Sequence, residues 1–511
     1  MKYISKILFL VLFSKINLSF GQDSISKSNQ NNWNENIKLS GYFQFQYHYT
    51  NHTDSVRLHS MSAGSFDRFN NNKFTIRRSR FRLDYDNQSY AKAALSFDIT
   101  EKGFIHKDAW LSLTETKYNA FHLNMGLFAM PFGHEIELQS MDREAPERSR
   151  IIQHLFPGIR DLGANVRFEL PKEHKLSFLR LDGGIYHGTR GNIESDNSKD
   201  FNGRIQINNP LKNDFINFSL GYSHYRGNVM HQYDIDGNVS NYHYVFRMLD
   251  TTIMVDDKPR DVSIMFQDYL PNQLDSIIRD PNSSIARATY NTLIPRNYQA
   301  ISGTINLNLK TKSFTLGKTK IRAEYIWGTQ VSQEPTLADP YVFTSKSPTG
   351  PVQSVTWPKF DSPQPYNPAY VGLNVKPTHS FIRDFRGGYL CIDQQIGKTG
   401  HHLYYRYDFY NPNTQISGEN INLNVENSEG VPVGSTGLSV ADVTFRTHGI
   451  GYRYEATDKL SFTLFYEKPI NEITNLQPLS STQINNGKFP HTGYLTDIKD
   501  DIFTIRIQLI F

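Results

Sequence analysis

The sequence predicts an all-β protein, a transmembrane antiparallel β-barrel of about sixteen strands with short periplasmic turns and long extracellular loops. Three observations predict it. The last eleven residues, DIFTIRIQLIF at 501–511, alternate strictly between an apolar and a mostly polar face, as a wall strand does between lipid and water. The first 21 residues read as an export segment. Between the two, short connections alternate with long ones along the chain.

Lys2 and Lys6 precede an apolar run at 7–13, followed by Ser19 and Gly21 at small-residue positions before Gln22. Such a run is too short to span a membrane as a helix and matches a secretory signal peptide, residues 1–21, cleaved after Gly21. No cysteine follows it, so lipoprotein processing is not expected. Residues 22–36 are then a periplasmic N-terminal segment, and the barrel occupies 37–511.

Composition narrows the class. Charged residues make up 20% of the chain and mean hydropathy is −0.51, yet aromatics reach 13%, with 29 Tyr and 34 Phe. A barrel reconciles these values, because half of each strand faces water and its loops are polar. After residue 21 no apolar run approaches 18 residues, so no transmembrane helix is expected. Removing Lys2, Lys6 and Lys15 with the signal takes the formal charge from +4 to about +1. Net charge therefore points to no partner, and no nucleic acid is expected. Cys391 is the single cysteine, which excludes an intrachain disulfide and a cysteine metal cluster.

Sixteen strand-like stretches follow in order, at 37–49, 73–85, 90–100, 106–115, 120–128, 163–170, 176–187, 201–208, 216–226, 299–310, 318–328, 384–396, 401–410, 443–455, 460–466 and 501–511. In the first, Phe43, Phe45, Tyr47 and Tyr49 oppose Tyr42, Gln44, Gln46 and His48. Most lengths match the roughly 9–11 residues that a tilted strand needs to cross a bilayer. Long connections fall at 50–72, 129–162, 188–200, 227–298, 329–383, 411–442 and 467–500, with short turns between them. Only 101–105 is short on the long side. With an even strand number both termini lie on the periplasmic side, where an exported N-terminus starts.

A barrel of sixteen strands encloses an aqueous channel, so passive diffusion of small polar solutes is the expected function. The loop at 129–162 is the candidate constriction. Its Met130, Phe132, Leu155, Phe156 and Pro157 suit a loop folded against the inner wall better than an aqueous tip. Its fixed charges include Arg143, Arg148, Arg150 and Arg160 against Glu135, Glu137, Asp142, Glu144, Glu147 and Asp161. Four positive against six negative charges argue against a strongly anion-selective filter.

Arg78, Arg80 and Arg82 alternate on one strand face, opposite Phe81, Leu83 and Tyr85. If the apolar set meets lipid, the arginines line the lumen with about 7 Å between rungs. A guanidinium holds phosphate or carboxylate in a fork, so such a ladder could pass anions from rung to rung. Alternatively the arginines pair with acids on adjacent strands, such as Asp98 or Asp108. Arg77 falls on the opposite face, where a snorkelling position at the membrane boundary is expected.

Several runs carry a resemblance. FTIRRSRFRLDY at 74–85, KDAWLSL at 107–113, GLFAMPFG at 126–133, ERSR at 147–150, RDLGA at 160–164 and YYRYDFYNPN at 404–413 resemble the phosphate-selective porin O and P family in order and spacing. The loops 227–298 and 329–383 match nothing in it. The resemblance implies a homotrimer of sixteen-stranded barrels passing anions, with lumenal arginines guiding phosphate-like solutes. The closing strand, with Phe503, Ile505, Ile507, Leu509 and the final Phe511 on one face, resembles the C-terminal signature of bacterial outer-membrane barrels. It implies outer-membrane lipid and the barrel-assembly machinery as partners.

Enzyme signatures are not found, and no cofactor or metal is expected. Gly397-Lys398-Thr399 and Gly317-Lys318-Thr319 lack the glycine of a phosphate loop, which is Ile392 in one and Lys312 in the other. They read as turns. His134-Glu135 lacks the second histidine of a zinc helix, and no G-x-S-x-G occurs. His401-His402 reads as a turn running into a strand. A Ser–His pair assembled across strands stays open as an enzymatic alternative. The other alternative is a loop-plugged barrel for surface binding or secretion assembly, drawing on the two longest loops.

Overall fold

A computed structural model describes residues 36–50, 71–101, 103–188, 198–211, 215–232, 245–268, 291–310, 315–332, 344–345, 353–354, 380–422, 424–426, 428–429, 432–435, 438, 440–475 and 494–511. The expected signal peptide, residues 1–21, lies outside them, as do all but one of residues 22–36 and most of the loop 329–383.

Nine wall strands come first: β1 Ile37–Thr50, β2 Asn72–Asp86, β3 Ala91–Thr100, β4 Gly103–Thr114, β5 Phe121–Ala129, β6 Arg160–Glu169, β7 Leu179–Tyr186, β8 Asp200–Asn208 and β9 Ile216–Gln232. A hairpin of β10 Val245–Val255 and β11 Lys258–Asp268 precedes two long wall strands, β12 Asn291–Lys310 and β13 Thr315–Ser332. The short pair β14 Thr344–Ser345 and β15 Gln353–Ser354 lies between these and β16 Ser380–Gln395 and β17 His401–Asn411. Another small pair, β18 Asn424–Glu426 and β19 Pro432–Ser435, precedes the last wall strands, β20 Phe445–Glu455, β21 Leu460–Asn471 and β22 Ile502–Ile510.

Sixteen of these form one closed antiparallel ring, in which each wall strand pairs with the next and β22 pairs with β1. Each of the sixteen expected stretches holds one wall strand. The wall strands beside the longest loops run further than alternation suggested, with β9 reaching Gln232 and β12 starting at Asn291. The hairpin β10–β11 lies within the stretch read as the loop 227–298. It joins the wall through parallel pairing of Val245–Arg247 with Ser380–Ile382. No described helix is long and apolar enough to cross a membrane.

The two faces differ as a lipid-embedded wall requires. Phe45, Leu83, Leu95, Ile205, Leu220, Ile301, Ile450, Ile507 and Leu509 are exposed on the outer surface. Inward positions carry Gln44, Gln46, Arg80, Asp98, Arg204, Arg322, Arg406 and Arg506, all buried. In hydrocarbon each unpaired backbone group costs several kcal/mol, so the sheet must close without an edge. The seam does so through Gly41 and Phe511, which exchange backbone hydrogen bonds of 3.1 and 3.0 Å. The Phe511 ring then packs on Phe43 and Phe81, with centroids 5.4 and 5.7 Å away.

Gly41 is required at this seam. A Cβ there would sit 2.2 Å from the Arg80 carbonyl oxygen and 2.5 Å from the Phe511 ring. Gly41→Val is therefore expected to leave the seam open. The fraction of refolded protein running as the compact, heat-modifiable band should fall severalfold, whereas Gly303→Ala, with no atom nearer than 3.6 Å, should fold as the parent does.

Candidate functional site

Between β5 and β6 the chain turns inward and packs on the lumenal face of the wall. Its apolar residues Met130, Phe132, Ile136, Ile151, Ile152, Leu155 and Phe156 form one buried cluster with Tyr186, Tyr225, Tyr298, Ala300, Ile326, Phe385 and Tyr410 of the wall. Phe156 meets Tyr298 and Tyr225 edge-on, at 5.7 and 6.0 Å, and Phe132 at 5.1 Å. Such pairs are worth about 0.5–1.5 kcal/mol each beyond the area they bury. Pro157 remains exposed.

Polar contacts fix the entry of this loop. Asn202 donates to the Pro131 carbonyl at 2.8 Å, Arg204 to that of Gly133 at 3.1 Å, and the Gly133 N–H donates to the Ser223 hydroxyl at 3.0 Å. The Glu324 carboxylate accepts the backbone N–H groups of His134 and Glu135 at 3.1 and 3.0 Å. Gly133 has φ +61, and a Cβ there would overlap that carboxylate. Further along, Glu135 accepts from the Ser149 N–H and hydroxyl, while Arg148 donates to the carbonyls of Glu135 and Leu138. The short helix α1, Arg150–Leu155, follows with most of its residues buried.

Three loop carboxylates reach the wall. Glu147 bonds Arg77 at 2.6 Å and Arg78 at 2.9 Å and lies 3.7 Å from Arg506. Glu137 meets Arg204 at 2.5 Å, Arg180 at 2.8 Å and Arg167 at 3.7 Å. Glu144 meets Arg322 at 2.7 Å and Lys320 at 3.3 Å. Asp182 of β7 shares the second group, bonding Arg167, Arg180 and Arg204. Four carboxylates thus face eight cations, Arg77, Arg78, Arg167, Arg180, Arg204, Lys320, Arg322 and Arg506. Burial alone would raise the Glu137 carboxyl, but the three guanidiniums outweigh it and bring it down to about 2. Glu147 is likewise held well below the usual carboxylate range by Arg77 and Arg78 against its burial.

Arg78 also donates to Gln44 at 3.0 Å. Arg80 forms a fork on Asp98 with both contacts at 2.8 Å, and Lys107 approaches the same carboxylate at 3.8 Å. Arg82, partly exposed, bonds Asp84 at 2.7 Å, lies 3.5 Å from Asp108 and sits over the Trp110 ring. The three arginines share the inner face, and each is paired with a carboxylate, two of them with the wall acids Asp98 and Asp108. Arg77 differs from expectation. The β1–β2 register skips it, pairing Gln44 with Arg78 and Phe45 with Ile76. The bulge swings its side chain inward onto Glu147 instead of toward lipid. A second bulge, between Ser96 and Phe97 on β3, skips Lys107 in the same way.

Of the remaining loop residues, Arg160 opens β6 and bonds Asp108 at 2.7 Å. Arg150 lies 4.4 Å over the Phe445 ring. Asp142 is exposed at the loop surface. Arg143 is buried, and no guanidinium nitrogen of it has a hydrogen-bond partner among the described residues. Burial and the nearby Arg148 and Arg78 charges press its pKa well below the ordinary arginine value. The sequence reading did not single out Arg167, Arg180 and Arg204. Their signal lies in register, since Asp182 pairs across the sheet with Arg167 on one side and Arg204 on the other.

Residues outside the lumenal network take local roles. His401 shares a hydrogen bond of 2.6 Å with the Tyr452 hydroxyl, and His402 one of 3.1 Å with Asp393. Among the described residues no group of three or more His, Cys, Asp and Glu could hold a metal ion. Cys391 is buried in the wall.

No family model and no curated protein matches the chain. Solved structures similar to it include OprB of Pseudomonas putida, with 7% identity and a TM-score of 0.47, covering 94% of this chain and 95% of that one. The outer membrane channel DcaP of Acinetobacter baumannii aligns at 10% identity and a TM-score of 0.45, over 93% and 97% of the two chains. The trimer form of OmpT, an outer membrane protein of Vibrio cholerae, aligns at 8% and 0.42, over 93% and 99%. At these identities and scores the likeness carries no inference about function.

Glu147→Gln should cost about 3–5 kcal/mol, the usual loss when one partner of a buried ion pair is removed. The temperature at which the compact band converts to the unfolded one should drop by several degrees. Glu115→Gln, in a short turn, should leave it unchanged.

Proposed function

We propose that this protein is a porin of the bacterial outer membrane, reached through a cleaved signal peptide, and that it passes small polar solutes with a preference for anions. One observation carries the anion preference. The loop alone is acid-rich, but around its Glu137, Glu144 and Glu147, and the wall's own Asp182, the wall places eight cations. In a narrow, partly desolvated passage the uncompensated charge sets the sign of the field and so of the favoured ion. Arg82, Lys107, Arg167 and Arg180 remain partly exposed on the lumenal side, where they can meet a hydrated anion.

In this reading Arg78, Arg80 and Arg82 belong to the channel lining, and Arg143, Arg148, Arg150, Arg160, Glu135, Glu137 and Asp142 to the constriction or its support. Paired guanidiniums such as Arg80 on Asp98 hold the lining in place more than they carry ions. Phosphate-like solutes and a homotrimer follow from the family resemblance.

The density of the aromatic cluster on one side of the lumen favours a second reading, a loop-plugged barrel acting in surface binding. Single-channel recording separates the two. Refolded protein in a planar bilayer is expected to give stepwise conductance with a chloride-favouring reversal potential across a KCl gradient. Replacing Arg82, Arg167 and Arg180 by Gln should shift that potential toward the cation side by a clear margin. A cation-favouring or neutral wild-type potential would remove the anion preference, and absence of conductance from folded barrels would leave the plugged reading.

A further inference from the structure

The outer wall has one place that does not look like a plain lipid-facing surface. Across β5 to β9 a shallow depression of about 770 Å³ opens on the outside. Gly183 and Gly203 are direct partners across β7 and β8, and a Cβ on either would meet no atom within 4 Å. The outward side chains that cover the rest of the wall are therefore missing along this track. Leu123, Val166, Ile185 and Phe201 flank it with apolar surface.

At the end toward the long loops the lining changes character. Lys199 immediately precedes β8, and Arg226 lies on the outer face of β9 in register with Phe201. The adjacent polar residues satisfy one another, with Tyr222 donating to Gln299 at 2.9 Å and His224 bonded to Asn297 at 2.6 Å. Among the described residues Arg226 makes no ion pair and no carboxylate lines the depression. An arginine facing hydrocarbon is costly unless it reaches an anionic headgroup. A guanidinium fork fits a phosphate oxygen pair.

We propose that this depression binds a phosphorylated lipid of the leaflet on the long-loop side. An acyl chain would lie over Gly183 and Gly203, and the phosphate would meet Arg226 with Lys199 beside it. The site requires the barrel wall but not conduction, so it stands apart from the channel reading.

Native mass spectrometry of the detergent-solubilised full barrel, titrated with bisphosphorylated lipid A and with its dephosphorylated form, tests the proposal. Wild-type barrels should retain the phosphorylated lipid and bind the dephosphorylated one about tenfold more weakly, the loss expected when the charge-assisted bonds go. Lys199→Ser with Arg226→Ser should show the same loss for the phosphorylated lipid, and Gly203→Leu, which fills the track, should also weaken it. Heat-modifiable mobility checks that each variant folds. Equal retention of both lipids by the wild type, or unchanged retention in both variants, would overturn the proposal. So would efficient copy-to-copy crosslinking of Gly203→Cys in membranes, because the face would then belong to a second copy of this chain.

Discussion

The structure depends first on closure of the sheet. Lipid offers no hydrogen-bond partner, so a sixteen-stranded wall can exist there only if its first and last strands pair. The pairing of β1 with β22, ending at Gly41 and Phe511, meets that demand. Closure also decides the two faces. Every second residue is committed to hydrocarbon and every other one to the interior, which is why Phe43, Phe81 and Phe511 gather outside the seam while Arg78, Arg80 and Arg506 lie within.

The interior then has its own constraint. Guanidiniums crowded on a concave wall repel one another, and burial penalises each of them. The loop between β5 and β6 relieves this by bringing Glu137, Glu144 and Glu147 to separate groups of wall cations. Its apolar residues fasten to Tyr225, Tyr298 and Phe385 of the wall. Electrostatics and aromatic packing thus hold the same segment together. Around these carboxylates and Asp182 the wall places eight cations, so each acid answers more than one of them.

Much of this was legible in the sequence because strand periodicity is local. The alternation of Arg78, Arg80 and Arg82 with Phe81 and Leu83 placed the arginines on the inner face, and their pairing with Asp98 and Asp108 was one of the two readings open. What failed was what alternation cannot encode. A bulge shifts parity by one residue, and it carried Arg77 inward to Glu147. The acids of the loop were legible, but not the wall residues that meet them. The cations that answer them come from β2, β6, β7, β8, β13 and β22, far apart in sequence. The hairpin β10–β11 was absorbed into a loop because its neighbours in the chain carry no matching pattern.

The most direct test is single-channel recording of a variant in which residues 134–154 are replaced by a short Gly-Ser linker. A loop seated in the lumen predicts stepwise conductance several times that of the parent. Conductance unchanged from the parent would contradict the account, because the loop would then not occupy the passage.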